Sequence, residues 1–327
     1  MKQITKFPRQ ALGFFPTPFV ELKGLSAELK GPRIFIKRDD QTGLALGGSK
    51  TRKLEFLVGE ALARGCDTLV TGGAQQSNHC RQTAAAAAAC GLACHLVLGG
   101  KAPTSPEGNL LLDILFDATI HWSGAHRKGE DIPALVDNLI AEGKKPYVIP
   151  YGGSNEIGAL AFVEAYRELR AQLQEGELAA KAIIFASSSG GTQAGLCVAK
   201  ELFEDQVDLI GINIDKGEAG DLPFHAYVLN LTNSTARMLE LEHAFTQSEI
   251  LLRDEFTGDG YGVVGAAERE AVSCLARCEG ILLDPVYTGR AMAGLLAMVR
   301  ASEFRRDDIV VFWHTGGTPA LFPYAQD

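Results

Sequence analysis

The chain has 327 residues, of which 46% are hydrophobic and 22% are charged, and its formal net charge is −9. This composition is typical of a globular protein, and the acidic balance without a basic run gives no support for a nucleic-acid partner. No apolar stretch is long enough to span a bilayer, so no membrane association is expected.

The cysteines and the first residues indicate the cellular compartment in which the protein is expected. The seven cysteines include no Cys-x-x-Cys pair, and the opening MKQITKFPRQALGFFPTPF lacks the regions of a secretory signal. Free thiols in a reducing cytoplasm are therefore expected. Cys90 and Cys94, like Cys274 and Cys278, are four residues apart, but this spacing alone does not indicate a metal site, and none is predicted.

Short apolar runs alternate with longer helical patterns along the chain. The predicted strands are 33–38, 68–73, 94–100, 118–122, 146–151, 182–187, 208–214, 281–284 and 308–315. The predicted helices are 51–64, 78–90, 132–143, 156–173, 192–203, 265–278 and 288–301. This alternation predicts an α/β fold with parallel sheets covered by helices on both faces. Ligands of such folds bind at the carboxyl ends of the strands.

The turn Gly-Gly-Ser-Lys at 47–50 leads into the first of these helices. A helix N-terminus is the positive end of the peptide dipole and disfavours cations, yet Lys50 stands there with Arg52 and Lys53 close behind. A solvated surface lysine is the ordinary explanation. The motif taken alone does not exclude it.

A polar cluster follows the strand 68–73. It comprises Gln75, Gln76, Ser77, Asn78 and His79, and it opens a helix with six consecutive alanines that ends at Gly91, a predicted left-handed cap. Serine and asparagine are good N-cap residues, so capping alone explains Ser77 and Asn78. The alternative is that the free N–H groups at this helix start bind an anion such as a carboxylate. Both interpretations stay open at this point.

A loop rich in serine and glycine follows the strand 182–187 and reads SSSGGT. Glycines let the backbone approach a ligand, and the next helix adds its N-terminal N–H groups. The loop lacks the Gly-Lys-Ser/Thr of a Walker motif and the Gly-x-Gly-x-x-Gly of a dinucleotide site. It therefore predicts a phosphate cradle, although a plain strand-to-helix turn is the alternative.

A phosphate cradle together with a lysine on a glycine turn suggests pyridoxal 5'-phosphate (PLP), a phosphorylated aldehyde held by lysine as a Schiff base. The whole chain resembles the 1-aminocyclopropane-1-carboxylate deaminase and D-cysteine desulfhydrase family of tryptophan-synthase-β-like (fold type II) PLP enzymes. The matching segments run in the family order from residue 15 to residue 322 and read FPTPFVEL, IFIKRDDQTGLALGGSKTRKLEFL, GAQQSNHCRQTAA, YVIPYGGSNEIGAL, SSSGGTQAG, DGYGV, ILLDPVYTGRAMAGL and HTGGTPALF.

The resemblance implies how the cofactor is held. Lys50 would form the Schiff base, and Arg52 and Lys53 would help to depress its pKa so that it can act as a neutral amine. Lys53 would lie near the phosphate, and Asn78 would donate a hydrogen bond to the phenolic oxygen of the ring. The phosphate itself would be held by Ser189, Gly190, Gly191 and Thr192.

The resemblance also implies a substrate site and a reaction. Ser77 would hold the substrate carboxylate, and Tyr287 and Tyr261 would line the pocket, with Tyr287 close to the leaving group. Thr288 and Thr315 stand where the deaminases carry glutamate and leucine, and a hydroxyl beside the pyridine nitrogen makes a weaker electron sink than a carboxylate. This favours β-elimination from D-cysteine, giving pyruvate, hydrogen sulfide and ammonia, over opening of a cyclopropane.

Some positions depart from the family pattern and leave further activities open. Ser49 replaces a usual asparagine, Gln75 replaces an apolar residue, and the segment 217–230 matches poorly. A more polar pocket would suit L-cysteate, with sulfite as the leaving group. The chain could also act as a 1-aminocyclopropane-1-carboxylate deaminase, or it could bind PLP or an amino acid without turnover.

The resemblance finally implies a two-domain enzyme with the cofactor in the cleft between the domains. Residues 49–161 would form a smaller domain that carries Lys50, while residues 1–48 and 162–327 would form a larger PLP-binding domain. A homodimer is expected by resemblance only.

Overall fold

The computed structural model describes residues 4–215, 218–219 and 222–325. Its strands in chain order are β1 (Phe19–Glu21), β2 (Arg33–Arg38), β3 (Thr68–Gly73), β4 (Ala93–Leu98), β5 (Thr119–Trp122), β6 (Pro146–Val148), β7 (Ala182–Ser187), β8 (Asp208–Asn213), β9 (Glu218–Ala219), β10 (Leu222–Pro223), β11 (Leu252–Arg253) and β12 (Ile309–His314). Its α-helices are α1 (Lys23–Leu29), α2 (Lys50–Ala63), α3 (Asn78–Cys90), α4 (Gly108–Leu115), α5 (Ile132–Ala141), α6 (Glu156–Glu175), α7 (Gly191–Leu202), α8 (Phe224–Met238), α9 (Ala266–Glu279) and α10 (Thr288–Arg300). Within the described ranges, no helix is both long and apolar enough to cross a bilayer.

The larger sheet has six strands in the order β1-β2-β12-β7-β8-β11, and only the edge strand β1 pairs antiparallel to its neighbour. Successive residues of its strands face opposite layers. Ile34 and Ile36 pack in one apolar core with Phe312, whereas Phe35 packs in a second core with Trp313. Helices therefore cover both faces, which explains the nearly continuous apolar runs of these strands.

The smaller sheet has four parallel strands in the order β5-β4-β3-β6. Leu69 of β3 and Leu96 of β4 pack with Leu57 of α2 on one face, while Val70 packs with Ile132 of α5 on the other. The alternating arrangement of strands and helices thus builds two mostly parallel sheets, and the α/β prediction is confirmed.

One predicted strand is absent from the structure, and several short elements were not predicted. The segment 281–284 is not a strand, and its Leu282 carbonyl accepts a hydrogen bond from the His314 ring at 3.0 Å. Helices α1, α4 and α8 were not predicted, nor were the short strands β1, β9, β10 and β11. The C-terminal half of α8 reads TNSTARM, in which Thr, Asn and Ser have weak helix propensity, so packing against α7 decides the structure there.

A buried charge cluster ties α2 to the larger sheet. The Arg52 guanidinium donates from Nε and Nη2 to the two Asp39 oxygens at 2.9 and 2.8 Å, and from Nη1 and Nη2 to the two Glu168 oxygens at 2.9 Å each. Burial alone would raise the pKa of Glu168, but Arg52 and Lys37 hold it at about 2. Asp39 also accepts a hydrogen bond from the Trp313 indole at 2.8 Å, so β12 joins the same network.

We expect Arg52→Met to lower the free energy of unfolding by roughly 3–5 kcal/mol, because it leaves the Asp39 carboxylate buried without its cation. Urea denaturation followed by circular dichroism measures this change. Arg167→Met is the matched control, since Arg167 is exposed and, among the described residues, forms its ion pair with Glu164 three residues earlier on α6. Its cost should stay below about 1 kcal/mol. Equal losses in the two variants would contradict a special role for the cluster.

Candidate active site

A cleft lies where the carboxyl ends of β3, β7 and β12 meet the start of α2. Its lining residues come from six separate segments of the chain and are Ser49, Lys50, Ser77, Asn78, His79, Tyr151, Gly152, Ala186, Ser187, Ser188, Ser189, Gly190, Thr192, Tyr287, Thr315 and Gly316. Eight of the twelve predicted site residues are among them. The structure therefore brings together the lysine turn, the polar cluster and the serine–glycine loop.

The Lys50 turn requires its glycines. Gly48 has a φ of +130°, and a Cβ placed on Gly316 would lie 2.6 Å from the Gly48 Cα. The Ser49 N–H donates to the Thr315 carbonyl at 2.9 Å, which joins the turn to the end of β12. Helix α2 then begins at Lys50 itself. Close backbone approach on both sides thus fixes the position of the lysine.

Lys50 faces the cleft, and no ion pair links it to another residue of the described chain. Burial lowers the pKa of Lys50 to about 8. The direction agrees with the expectation from the sequence, but the cause differs. Arg52 points away into its carboxylate cluster, so desolvation of the amine, and not repulsion by Arg52, favours the neutral form.

We expect the rate at which a small aromatic aldehyde forms a Schiff base with the Lys50 amine to rise with pH, with a midpoint near 8. Only the neutral Lys50 amine is a nucleophile, and burial shifts the population of this form to lower pH. Stopped-flow absorbance at a series of pH values measures the rate. A midpoint near 10.5, the value for a solvated lysine, would contradict the burial argument.

Ser77 and Asn78 open helix α3. The Ser77 Oγ accepts a hydrogen bond from the Cys80 N–H at 3.2 Å, so Ser77 is the N-cap and its own hydroxyl proton remains free to donate. Gly91 ends the same helix with a φ of +68°, which confirms the predicted left-handed cap. Ser77 and Asn78 both line the cleft, so capping and ligand contact are compatible here.

The serine–glycine loop has the form of an anion cradle. Gly190 has a φ of +79°, and helix α7 begins at Gly191 with its N–H groups at the cleft end. A Cβ on Gly191 would lie 2.7 Å from the Ser154 Oγ and 2.9 Å from the Lys53 Nζ. Glycine is therefore required at Gly191, and a lysine amine lies directly beside the loop.

Lys53 is almost fully buried. Its Nζ donates to the Gly152 carbonyl at 3.1 Å and to the Ser154 Oγ at 3.0 Å. Desolvation, followed by repulsion from Lys50, lowers the pKa of Lys53 well below its usual value. An anion bound in the loop would compensate this cost, because opposite charge favours the ammonium form.

The residues of the motif YGGS also belong to the site, although they were not singled out in the sequence. Tyr151 and Gly152 line the cleft, and the Ser154 hydroxyl donates to the Ser189 Oγ at 2.8 Å. Gly152 has a φ of +64°, and a Cβ there would lie 2.2 Å from the Ser189 Oγ. The signal was present, since paired glycines before a serine mark a close backbone approach.

His79 is a further lining residue that the sequence did not mark as functional. The Thr71 hydroxyl donates to the Ile149 carbonyl at 2.8 Å, so it must accept at its 3.0 Å contact with the His79 Nε2. Desolvation and the charges of Lys50 and Lys53 lower the pKa of His79 well below its usual value. His79 is therefore a neutral imidazole that carries its proton on Nε2.

Tyr287 and Tyr261 form a hydrogen-bonded pair with 2.5 Å between their hydroxyl oxygens. Tyr287 lines the cleft, whereas Tyr261 lies behind it with its ring at 75° to that of Tyr287. Burial raises the pKa of both phenols well above the usual value. Both hydroxyls thus stay protonated. One O–H is used in the hydrogen bond between the two tyrosines, and the other can donate to a ligand.

The two threonines differ in their surroundings. Thr315 lines the cleft, but Thr288 is fully buried and is not a lining residue. The Thr288 hydroxyl donates to the Asp284 Oδ1 at 2.7 Å and accepts from the Asp284 N–H at 3.0 Å. The Asp284 carboxylate also accepts from the N–H groups of Val286 and Tyr287 at 3.0 and 2.8 Å. Thr288 therefore helps to hold the turn that carries Tyr287.

Two departures from the family pattern lie outside the cleft lining. Gln75 borders a neighbouring depression together with Glu107 and Tyr324. In the segment 217–230, residues 217, 220 and 221 lie outside the described residues, and α8 begins at Phe224.

Two features of the cleft indicate the class of the protein. A lysine on a glycine turn lies on one side, and an anion cradle at a helix N-terminus lies on the other. The chain belongs to the family of pyridoxal-phosphate dependent enzymes, whose family model matches residues 11–316. The cofactor of the protein is therefore PLP.

Comparison with individual proteins identifies similar members of this family. The chain is 45% identical to a D-cysteine desulfhydrase of Klebsiella pneumoniae (strain 342), over 99% of this chain and 98% of the relative. The crystal structure of an ACC deaminase homologue superposes with a TM-score of 0.91 at 35% identity, over 99% of this chain and 96% of the other. The processed threonine deaminase isoform 2 of Solanum lycopersicum has a TM-score of 0.65 at 16% identity, over 97% and 83% of the two chains, and shows the shared fold alone.

Proposed function

We propose that the protein catalyses the α,β-elimination of D-cysteine, which with one water gives pyruvate, hydrogen sulfide and ammonia. The observation that carries the proposal is the placement of the Lys50 amine in one cleft with the anion cradle and the Tyr287 hydroxyl. The 45% identity to a D-cysteine desulfhydrase along the whole chain supports the choice of substrate.

The cleft fits PLP on its own geometry. The buried Lys53 amine lies beside Gly191 at the N-terminus of α7 and has no carboxylate partner among the described residues, and the Lys50 amine is likewise not engaged in an ion pair. In this proposal the phosphate is held by the backbone and hydroxyl groups of Ser189, Gly190, Gly191 and Thr192, with Lys53 supplying positive charge. Lys50 would attach the cofactor, Asn78 would donate to its phenolic oxygen, and the Thr315 hydroxyl would serve its ring nitrogen.

Thr288 takes a supporting position in this proposal. Its hydroxyl proton and its oxygen are both used by Asp284, so it acts on the ring region through the Asp284 turn. Neither Thr288 nor Thr315 places a carboxylate at the ring nitrogen, and this supports β-elimination over cyclopropane opening.

PLP supplies the electron sink, and the side chains of the cleft move the protons. The neutral Lys50 amine takes the α-proton of the substrate, a role that its lowered pKa favours. Ser77 and the first N–H groups of α3 bind the substrate carboxylate. The Tyr287 hydroxyl, which Tyr261 orients, donates to the departing sulfur, so that sulfide leaves as a protonated species.

We expect Tyr287→Phe to reduce kcat on D-cysteine by roughly 10²-fold, in the range for loss of one positioned acid. The effect on PLP affinity should be small, because the hydroxyl contacts Tyr261 and not the anion cradle. Steady-state kinetics with pyruvate detection and a PLP titration measure the two quantities. Tyr261→Phe is the matched control and should lose less activity, since it removes only the partner hydroxyl. A Tyr287→Phe enzyme with unchanged kcat would contradict the assignment.

The substrate assignment has a direct test. Purified protein is given D-cysteine, L-cysteine, L-cysteate, β-chloro-D-alanine and 1-aminocyclopropane-1-carboxylate in parallel, and keto acid, sulfide and sulfite are measured. We expect pyruvate and sulfide from D-cysteine at the highest kcat/KM of the natural compounds. Faster release of sulfite from L-cysteate, or faster opening of the cyclopropane, would overturn the proposal. A protein that binds PLP but releases no keto acid would be a binding protein.

We further propose that the two sheets mark two domains, formed by residues 49–161 and by residues 1–48 with 162–327. The sheet β5-β4-β3-β6 falls wholly within the first range and the six-stranded sheet within the second. Helix α6 crosses the boundary, so it belongs to both.

A homodimer is proposed as the assembly. Leu111 and Leu115 of α4 are exposed, and so is Phe322 in the C-terminal 3₁₀ segment that packs on α4. Contiguous exposed apolar side chains favour an interface. Light scattering should give about twice the chain mass of 35.0 kDa. A cytoplasmic location is proposed because all seven cysteines are free thiols, and cell fractionation tests it.

A further inference from the structure

Asn109, near the start of helix α4, lies directly behind Asn78 and is fully buried. Its Nδ2 group is 2.8 Å from the Gln76 backbone carbonyl and 2.9 Å from the Asn78 Oδ1. Its backbone N–H donates to the Gln76 Oε1 at 2.8 Å. Three contacts therefore join α4 to the loop that opens helix α3.

These contacts determine which way the Asn78 amide faces. A backbone carbonyl can only accept, so the Asn109 atom beside the Gln76 carbonyl must be the NH₂ group. The same NH₂ group contacts Asn78, so the Asn78 atom at this contact must be the acceptor oxygen. The Asn78 NH₂ group is consequently the end left for the cleft, which Asn78 lines.

We propose that Asn109 is a positioning residue, which holds the Asn78 amide so that it presents N–H donors and not its oxygen to the cleft. This inference rests on the proposed function of Asn78 as a donor to the phenolic oxygen of PLP. An ionised oxygen is a strong acceptor, and an amide turned the other way would place a second acceptor against it. The chain thus selects the amide orientation through a residue that never contacts the ligand.

The experiment measures PLP affinity, without substrate, by fluorescence titration of the apoproteins. Asn109→Leu keeps a side chain of similar size and removes both donors, so we expect the apparent Kd for PLP to rise about tenfold, the loss of one hydrogen bond to a charged group. The pH midpoint of the visible absorbance of the bound cofactor should also shift, because the phenolic oxygen loses an oriented donor. Urea denaturation records the stability of each variant.

Two further variants separate positioning from simple structural damage. Gln76→Leu removes the hydrogen bond between the Gln76 side chain and the Asn109 backbone but leaves the Asn109 amide contacts, so its Kd should stay within about twofold of wild type. In an Asn78→Ala background, Asn109→Leu should have no further effect on the Kd. A tenfold rise in that background, or an equal rise in Gln76→Leu, would overturn the proposal.

The outcomes also distinguish this inference from the proposed reaction. If Asn78→Ala binds PLP like wild type, then Asn78 is not a donor to the cofactor, and Asn109 loses its role as well. If the titrations follow the expectation while the protein releases no pyruvate from D-cysteine, the positioning role stands and only the substrate assignment fails.

Discussion

Lys50→Ala should abolish covalent attachment of PLP and lower turnover of D-cysteine by at least about 10³-fold, since Lys50 is both the proposed anchoring amine and the proposed base for the α-proton. Residual PLP binding should persist, because the anion cradle and Lys53 are untouched. The test is borohydride reduction of the loaded protein, followed by peptide mass spectrometry, alongside pyruvate release.

Lys50→Arg is the matched control for this variant. It keeps a positive charge at the start of α2 but has no nucleophilic amine, so it should be as inactive as Lys50→Ala. A reduced adduct that persists in Lys50→Ala would locate the anchor elsewhere. Lys53 would then be the first candidate, because it is a buried lysine next to the anion cradle.

Gly191→Val should weaken PLP binding by more than tenfold, which corresponds to about 1.4 kcal/mol or more. The Cβ alone would lie 2.7 Å from the Ser154 Oγ and 2.9 Å from the Lys53 Nζ, so the branched side chain would displace the lysine amine that the proposal assigns to the phosphate. A titration of the apoprotein with PLP measures the change.

Gly176→Val is the matched control for this second variant. Gly176 follows α6 with a φ of −82°, and a Cβ there would meet mainly the flexible Leu178 side chain, at 3.1 Å. Its PLP affinity should equal that of wild type. Equal affinities for Gly191→Val and wild type would mean that the serine–glycine loop is an ordinary strand-to-helix turn.

Much of the fold could be predicted because buried parallel strands carry a strong local signal. The strands 33–38, 68–73 and 182–187 have the predicted bounds, since each is an apolar run that ends at a charged residue, a glycine pair or a serine loop. The segment 281–284 looked the same locally but is not paired with a neighbouring strand. A strand forms only where the fold places another strand beside the segment, and the local sequence does not show which segments become neighbours.

The site likewise has features that short sequence stretches predict and others that depend on the fold. The motifs located Lys50, Ser77 and the serine–glycine loop, because glycine turns and helix starts can be read from short stretches. The sequence could not show that the Thr288 hydroxyl is taken by Asp284, or that burial is what lowers the pKa of Lys50. Asn109 was equally hidden, since its only signal is a contact between two helices that are about thirty residues apart.

The Arg52 cluster has a consequence for how firmly Lys50 is held. The four hydrogen bonds from Arg52 to Asp39 and Glu168 depend on direction, so the first turn of α2 cannot shift relative to the larger sheet without breaking them. On the other side of the same turn, the Thr51 N–H and hydroxyl donate to the Gln82 Oε1 of α3 at 2.7 and 2.9 Å. The start of α2 is therefore a brace between the six-stranded sheet and the helix that Ser77 caps.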